Sequence, residues 1–330
     1  MPYLTDLTDS LGAAWNRFWF TPASPLPCAV LRIAIGLLAL AHFASLSIDH
    51  DRWYSPTGLL SPQSVNTLLT VGSQQDTTNR FSYLPYLSSA TELRVAHVAA
   101  LLVAAAFTLG LLTRVCGVLT LIALLAYVHR VPQVSGHLEP VLAYLLAYLV
   151  IAHSGALLSL DSLLFRRAKT KDRLSPTVDP AAPSLTANIS LRLIQVHTAM
   201  FYAMMGLTKL YGDAWWQGDA IWILLAQTAS RPLDLSGIRD LGKFGEYLLN
   251  AWTLAIVYLE LAFPVLIWNR LARPLLVSLA AITWLLVALA TGHLLFALTM
   301  IAATTAFLPP TFFAAFFPRR ASVFTPVLAS

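Results

Sequence analysis

Charge is scarce in this chain. Only 11% of its 330 residues are Asp, Glu, Lys or Arg, where a soluble globular protein carries about 25%. So little polar surface cannot cover a water-exposed body, which excludes an ordinary cytosolic enzyme. Cysteine is scarcer still. Cys28 and Cys116 are the only two, too few for a disulfide framework. Strand-like alternation, internal repeats and the P-loop, dinucleotide and GxSxG fingerprints are all missing. No two histidines stand three or four residues apart and no Cys–His pair has ligand spacing, so no metal site is expected. No basic run is interleaved with aromatics, so nucleic acid is not an expected partner. The first apolar stretch, from near Leu26 to Ile48, is too long for the core of a cleavable signal.

What the chain has instead is apolar mass. Hydrophobic residues make up 57%, with nine Trp and sixteen Phe, and mean hydropathy is +0.68. Those side chains must be buried in something, which excludes disorder. An all-α, polytopic membrane bundle is predicted, with about eight transmembrane helices of roughly 20 residues each. The expected spans lie near 27–48, 93–111, 115–131, 138–158, 188–210, 246–268, 272–290 and 293–308, and the transmembrane domain as a whole covers 27–330. Ahead of it, Leu4, Leu7, Leu11, Trp15 and Phe18 recur every three or four residues. Residues 1–26 therefore read as an amphipathic helix lying on the membrane surface.

Two intervals, 49–92 and 211–245, hold no span, and 160–187 is a basic linker that includes Arg166, Arg167, Lys169, Lys171 and Arg173. Positive charge marks the cytoplasmic side. Placing that linker inside brings both termini, Arg114 and the Arg270–Arg273 corner inside with it. Both long intervals, which carry most of the acids, then face outward from a cell (inner) membrane.

Ionisable groups within spans are costly, so each is a functional candidate. Gln195, Thr198, Tyr202, Gly206 and Lys209 fall on one face of the fifth span. His137, Tyr144 and Tyr148 do so on the fourth, and Glu246, Asn250, Thr253 and Glu260 on the sixth. Polar seams on three otherwise apolar cylinders imply a shared interior cavity. The charge rule also puts His137, Lys209 and His293 at the outer ends of their helices. A lysine withdrawn from water can serve as a general base, with histidines relaying protons. The alternatives are a snorkelling lysine and capping histidines. Glu260 is expected to form a structural ion pair with an inner-end arginine, Arg32 or Arg192, with Arg32 taken as the partner. His42, His97, His153 and His197 read as helix–helix hydrogen-bonding groups.

Several segments match a known family in order and spacing. They are Leu31-Arg32-Ile33-Ala34-Ile35-Gly36, Trp53-Tyr54-Ser55-Pro56-Thr57-Gly58-Leu59-Leu60, Leu109 to Arg114, Ser135-Gly136-His137 and Ser159 to Leu164. Tyr202 to Lys209 with Trp215-Trp216-Gln217-Gly218, and Gly292-His293, complete the series. Nearly end to end, the chain resembles the HTTM (horizontally transferred transmembrane) domain, the membrane part of vitamin K-dependent γ-carboxylase. In that family a lysine deprotonates a reduced quinone. Oxygen then converts the quinol to an alkoxide that abstracts a glutamate γ-hydrogen, and CO2 captures the carbanion.

The resemblance implies Lys209 as the base, His137 as the matching histidine and His293 as a weaker match. It further implies a reduced quinone of the vitamin K or menaquinol type, bound near Tyr202, Tyr144, Tyr148, Trp215 and Trp216, in contact with membrane lipid. The carboxylase has a lysine pair where this chain has Thr208-Lys209, and the stretch from Lys209 to Trp215 differs by one residue. The chain also ends at Ser330, without the extracytoplasmic domain that recruits a protein substrate. The expected function is a quinol-dependent, carboxylase- or epoxidase-like membrane enzyme (a lyase or oxidase) that acts on, or helps mature, a secreted peptide or protein. The alternative is a transporter or a lipid- or quinone-binding accessory protein without catalysis.

Overall fold

The computed structural model of the protein describes residues 2–72, 81–169, 182–227 and 232–316. Of the linker expected at 160–187, residues 170–181 lie outside them. Among the described residues there is no strand. Two backbone hydrogen bonds, Ala23 N to Ser184 O (3.1 Å) and Ser184 N to Ala23 O (2.9 Å), form an isolated bridge. The helices in chain order are α1 (Pro2–Phe20), α2 (Leu26–Leu46), α3 (His50–Tyr54), α4 (Pro62–Gly72), α5 (Ala90–Leu109), α6 (Thr113–Arg130), α7 (Leu138–Ile151) and α8 (Leu160–Lys169). They continue with α9 (Leu185–Lys209), α10 (Asp213–Trp216), α11 (Ala220–Ala226), α12 (Lys243–Leu266), α13 (Ala272–Thr291), α14 (Leu294–Thr305) and α15 (Pro310–Ala315).

Five helices are long and apolar enough to cross a membrane: α2, α5, α6, α12 and α13. The other three expected spans fall short for identifiable reasons. α9 has 25 residues, but its polar seam lowers its hydropathy. α7 and α14 have 14 and 12 residues, about 21 and 18 Å at 1.5 Å per residue, against a hydrocarbon core of roughly 30 Å. Large apolar side chains point outward from the long helices, among them Val95, Val98 and Leu102 on α5 and Leu275, Leu279 and Ile282 on α13. Aqueous proteins do not expose faces of that kind.

The chain divides into two compact units. Unit 1 is Met1–Arg192 with Phe313–Ser330, and unit 2 is Leu193–Phe312. In unit 1, α2 packs on α5 and α7, while α6 packs on α5 and α7. Close approach of α2 and α5 depends on Gly36. A β-carbon there would lie 2.5 Å from Thr108 Oγ1 and 3.0 Å from the Thr108 α-carbon. α5 starts with a capping box between Ser89 and Glu92 and ends at Gly110, whose φ of 75° suits a residue without a side chain.

Beyond Gly110 the turns between elements meet in one corner. Asp161 accepts from Leu112 N (2.8 Å), Thr113 N (2.9 Å) and Thr113 Oγ1 (2.7 Å), closing the start of α6. Burial raises the Asp161 carboxyl, but those donors and the field of Arg32 outweigh it and hold it below its ordinary value. Arg32 is fully buried and donates to the carbonyls of Ser154 (2.7 Å), Leu157 (3.4 Å) and Leu158 (2.5 Å). Three non-glycine residues of this corner have left-handed backbone: Leu112, His153 and Leu158, with φ of 44°, 47° and 51°. Such residues cost roughly 1–2 kcal/mol each. The bonds from Asp161 and Arg32 are what hold them there. Three of the segments that carry the family resemblance thus converge in this corner.

Unit 2 is built on α12, α13 and α14, with α11 against α12 and α13. Ile221, Leu225, Leu249, Ile256 and Ala290 form one buried cluster, flanked by Trp215, Trp222 and Trp252. Aromatic rings fill another part. Tyr202 stacks on Phe263 at 4.0 Å between centroids, and Phe307 and Trp284 meet that pair edge-on.

Candidate functional site

The site expected around Lys209 is built by the way α9 ends. Gly212 N bonds back to Lys209 O (3.1 Å), and the extended backbone at Gly212 turns the chain into α10. That reversal lays the Trp215 ring 4.9 Å from Lys209 Nζ, a cation–π contact. The ammonium sits in the last turn of α9, where a helix favours positive charge. From α12, Glu260 accepts from Nζ with both oxygens, at 2.9 and 2.7 Å. Side-chain exposure is 14% for Lys209 and 4% for Glu260, so the pair is enclosed rather than surface-screened. Pro264, one turn further along α12, has no N–H to offer the Glu260 carbonyl.

This geometry corrects the expected ion pair. Glu260 is engaged by Lys209, and Arg32 is engaged by the three carbonyls of its corner. Estimated depth along the helices favours an arginine partner for Glu260, and depth alone does not register that Lys209, at the end of α9, contacts it.

The other expected residues are placed as follows. Tyr202 is buried and tied internally: Trp284 Nε1 donates to its hydroxyl (2.6 Å), which also meets Thr304 Oγ1 (3.2 Å). Gln195 of the same seam donates to Ala306 O (2.8 Å). Trp216 is exposed and its indole donates to Leu210 O (2.6 Å). His293 is exposed at the start of α14 in unit 2, and its side chain makes no capping hydrogen bond. His137 is exposed at the start of α7 in unit 1 and likewise makes none. Also in unit 1, Tyr144 is buried with Tyr148 beside it, 6.0 Å between centroids. Among the candidates, then, the structure gathers Lys209, Glu260 and Trp215 into one contact group.

Further toward the start of α12, Asp219, Trp222, Arg239, Glu246, Leu249 and Asn250 line an open cleft of about 110 Å³. Arg239 lies over the Trp222 ring at 4.6 Å. Glu246 and Asn250 belong to the polar stripe predicted on this helix.

Unit 1 holds a second polar cluster that sequence reasoning did not assemble. Tyr127 of α6 places its hydroxyl 3.0 Å from His50 Nε2 and 2.7 Å from His97 Nδ1. His97 Nε2 reaches Ser47 Oγ at 2.8 Å, in keeping with the hydrogen-bonding role expected of it. The Tyr54 ring meets Tyr127 edge-on at 4.8 Å, and Arg130 Nη2 donates to Tyr54 O at 3.3 Å. His42 Nε2 lies 3.8 Å from Glu139 Oε1, whose other oxygen accepts from Gly136 N. Outside these, Asp51 pairs with Arg94.

Hydrogen bonding to Arg94 holds the Asp51 carboxyl below its ordinary range. Burial lowers His50, with Asp51 opposing and Arg94 adding. Burial pushes the Tyr54 phenol up to about 12. The members of this cluster come from α2, α3, α5, α6 and α7, so no single spacing in the chain could have announced it. The available signal was polar aromatics and histidines within apolar helices.

Fold and sites together define a protein that is all-helical over its described residues, with five helices long and apolar enough to cross a membrane and two buried polar clusters. No family model, curated protein or solved structure matches the chain.

Proposed function

We propose that this is a multi-pass membrane protein whose unit 2 carries a proton-transfer site centred on Lys209, and that the site acts on a lipid-soluble quinol in the manner of the HTTM-type domain. The observation that carries this reading is the enclosed Lys209–Glu260 pair with an indole face against the amine. Transfer of one proton along the 2.7 Å contact converts ammonium and carboxylate into amine and carboxylic acid. The amine can then take a proton from an acidic hydroxyl.

The residues present fit a quinol headgroup in part. Glu260 occupies two of the three ammonium donors, and Trp215 offers an aromatic face beside the third. Tyr202 does not fit as a ligand, because its ring and hydroxyl are already engaged. A bound quinol would supply the reductant for oxygen. Glu260 would hold the proton that the Lys209 ammonium gives up, the Lys209 amine would then take and keep the quinol's proton, and Trp215 would orient the ring. His137 and His293 are assigned the assisting roles that the resemblance implies. The charge bias puts both termini in the cytoplasm and turns 49–92 and 211–245 outward, toward a secreted peptide or protein.

A second reading, a quinone- or lipid-binding protein or transporter without catalysis, is favoured by one observation. A carboxylate bridging one amine with both oxygens also serves as a clamp between α9 and α12. Purified protein should be extracted for co-bound quinone and assayed for oxygen-dependent consumption of reduced menaquinone or vitamin K. Consumption by wild type, lost in Lys209→Ala and reduced in Glu260→Gln, supports the base reading. Equal turnover in wild type and Lys209→Ala sinks it. Co-bound quinone with no turnover in any form favours the second reading.

A further inference from the structure

The segment 47–60, which contains α3, is fastened to unit 1 through one tyrosine hydroxyl. His50 of α3 and His97 of α5 both address Tyr127 of α6, and His97 continues to Ser47 at the end of α2. Four elements are therefore joined by three hydrogen bonds, two of which meet at a single oxygen. His50 is 5% exposed, His97 5% and Tyr127 2%, so water cannot replace a lost partner.

A hydroxyl has one proton and two lone pairs, and a neutral imidazole has one donor and one acceptor. With both rings neutral and His50 donating, every proton along the chain is used once; in the reverse sense the His50 Nδ1 proton lacks a hydrogen-bond acceptor. A proton added to whichever ring is the acceptor breaks that pattern. Both rings then donate to one oxygen, and the hydroxyl hydrogen is left buried without an acceptor. The ring centroids are only 4.3 Å apart, so charge on one ring also opposes charge on the other.

The surrounding charges offer no spare anion. On α3, Asp51 lies 3.7 Å from His50 Nδ1 but already pairs with Arg94 of α5. On α6, Arg130 is buried with Nη1 lacking a partner. Glu139 of α7 faces His42 of α2. Tyr54 of α3, and Tyr83 ahead of α5, are the remaining titratable neighbours.

We propose that the His50–Tyr127–His97 chain is a proton-operated latch on segment 47–60, closed while both imidazoles are neutral and released when the ring that accepts from Tyr127 takes up a proton. The shift at His50 agrees in sign. Its folded-state proton affinity is below that of a free imidazole. Docking is then at full strength above about pH 6.5 and declines as pH falls. Asp51, held ionised by Arg94, keeps its charge through that window.

Hydrogen–deuterium exchange of the full chain in lipid nanodiscs tests this at about pH 7.5 and about pH 5, corrected for intrinsic exchange chemistry. Wild type should lose about tenfold or more protection in 47–60 at the lower pH and regain it on return, while α13 stays unchanged. The double variant His50→Gln/His97→Gln should show no pH response in this segment. Tyr127→Phe should leave it poorly protected at both values. Equal wild-type protection at the two pH values overturns the proposal, as does an undiminished pH response in the double variant. Should the double variant fail to fold, full protection of 47–60 in Tyr127→Phe at neutral pH overturns it instead.

Discussion

The two units solve the same problem in different ways. Each must place polar groups inside a largely apolar body. Unit 1 spreads them: two histidines, a tyrosine and a serine exchange hydrogen bonds, and its fully buried charge, Arg32, is solvated by backbone carbonyls. Unit 2 concentrates its charge in one pair, Lys209 with Glu260, inside aromatic and aliphatic packing. Spreading limits the loss of one member to hydrogen bonds, two at the Tyr127 oxygen and one at His50. Concentration does not, because removing either partner strands a full charge in a low dielectric. A stranded charge is also a reactive one, which is why unit 2 is the better place to look for proton chemistry.

The sharpest test of that difference lies in unit 2. Lys209→Met or Glu260→Leu alone should destabilise the protein by about 3–5 kcal/mol, while the double variant recovers most of the loss. Denaturant unfolding in mild detergent measures it. A double variant as unstable as either single one would mean that the pair is no more concentrated a liability than the hydrogen bonds of unit 1. Next in size is Arg32→Leu, which orphans three carbonyls and should cost about 2–4 kcal/mol. An effect below about 1 kcal/mol there would show that water enters the corner.

The smallest effect is expected at Asp161. Asp161→Asn should cost about 1–2 kcal/mol, since the amide keeps one acceptor and loses the charge. Its native pKa lies below that of the unfolded chain. Its contribution is therefore present above about pH 4 and is lost as pH falls further. Comparison of wild type and Asp161→Asn across that range should show the difference closing in acid. A constant gap would assign the effect to packing.

Much of the fold was legible because periodicity reports burial. The seam on α9 was read correctly as inward-facing: Thr198 and Tyr202 are buried, and Gln195 and Lys209 find partners inside unit 2. The stripe on α12 divides, with Thr253 and Glu260 buried and Glu246 exposed beside the cleft. Five of the eight expected spans are helices long and apolar enough to cross a membrane, and the fourth expected span ran past the end of its helix. Residues 152–159 instead fold into the turns that receive Arg32. Partner choice was the least legible layer. One buried carboxylate, one lysine and two arginines admit several pairings, and only the turn after Lys209 decides among them. The α1 stripe was legible in part. Leu11 and Trp15 are exposed, while the Phe18 carbonyl accepts from Asn188 Nδ2 (2.9 Å) and Arg192 covers the Phe18 ring.

The Arg32 corner has a consequence for how the protein is made. The guanidinium and the first carbonyl it needs are separated by 122 residues. During synthesis α2 emerges long before that carbonyl exists, at about 5–20 residues per second. For several seconds the nascent first helix carries an uncompensated cation, which favours keeping that end near water or held by the insertion machinery. Only when the turn after α7 has emerged can α2 settle to its final depth. Translation order is thereby written into the architecture, and a pause or truncation before residue 154 should leave the first helix unable to seat.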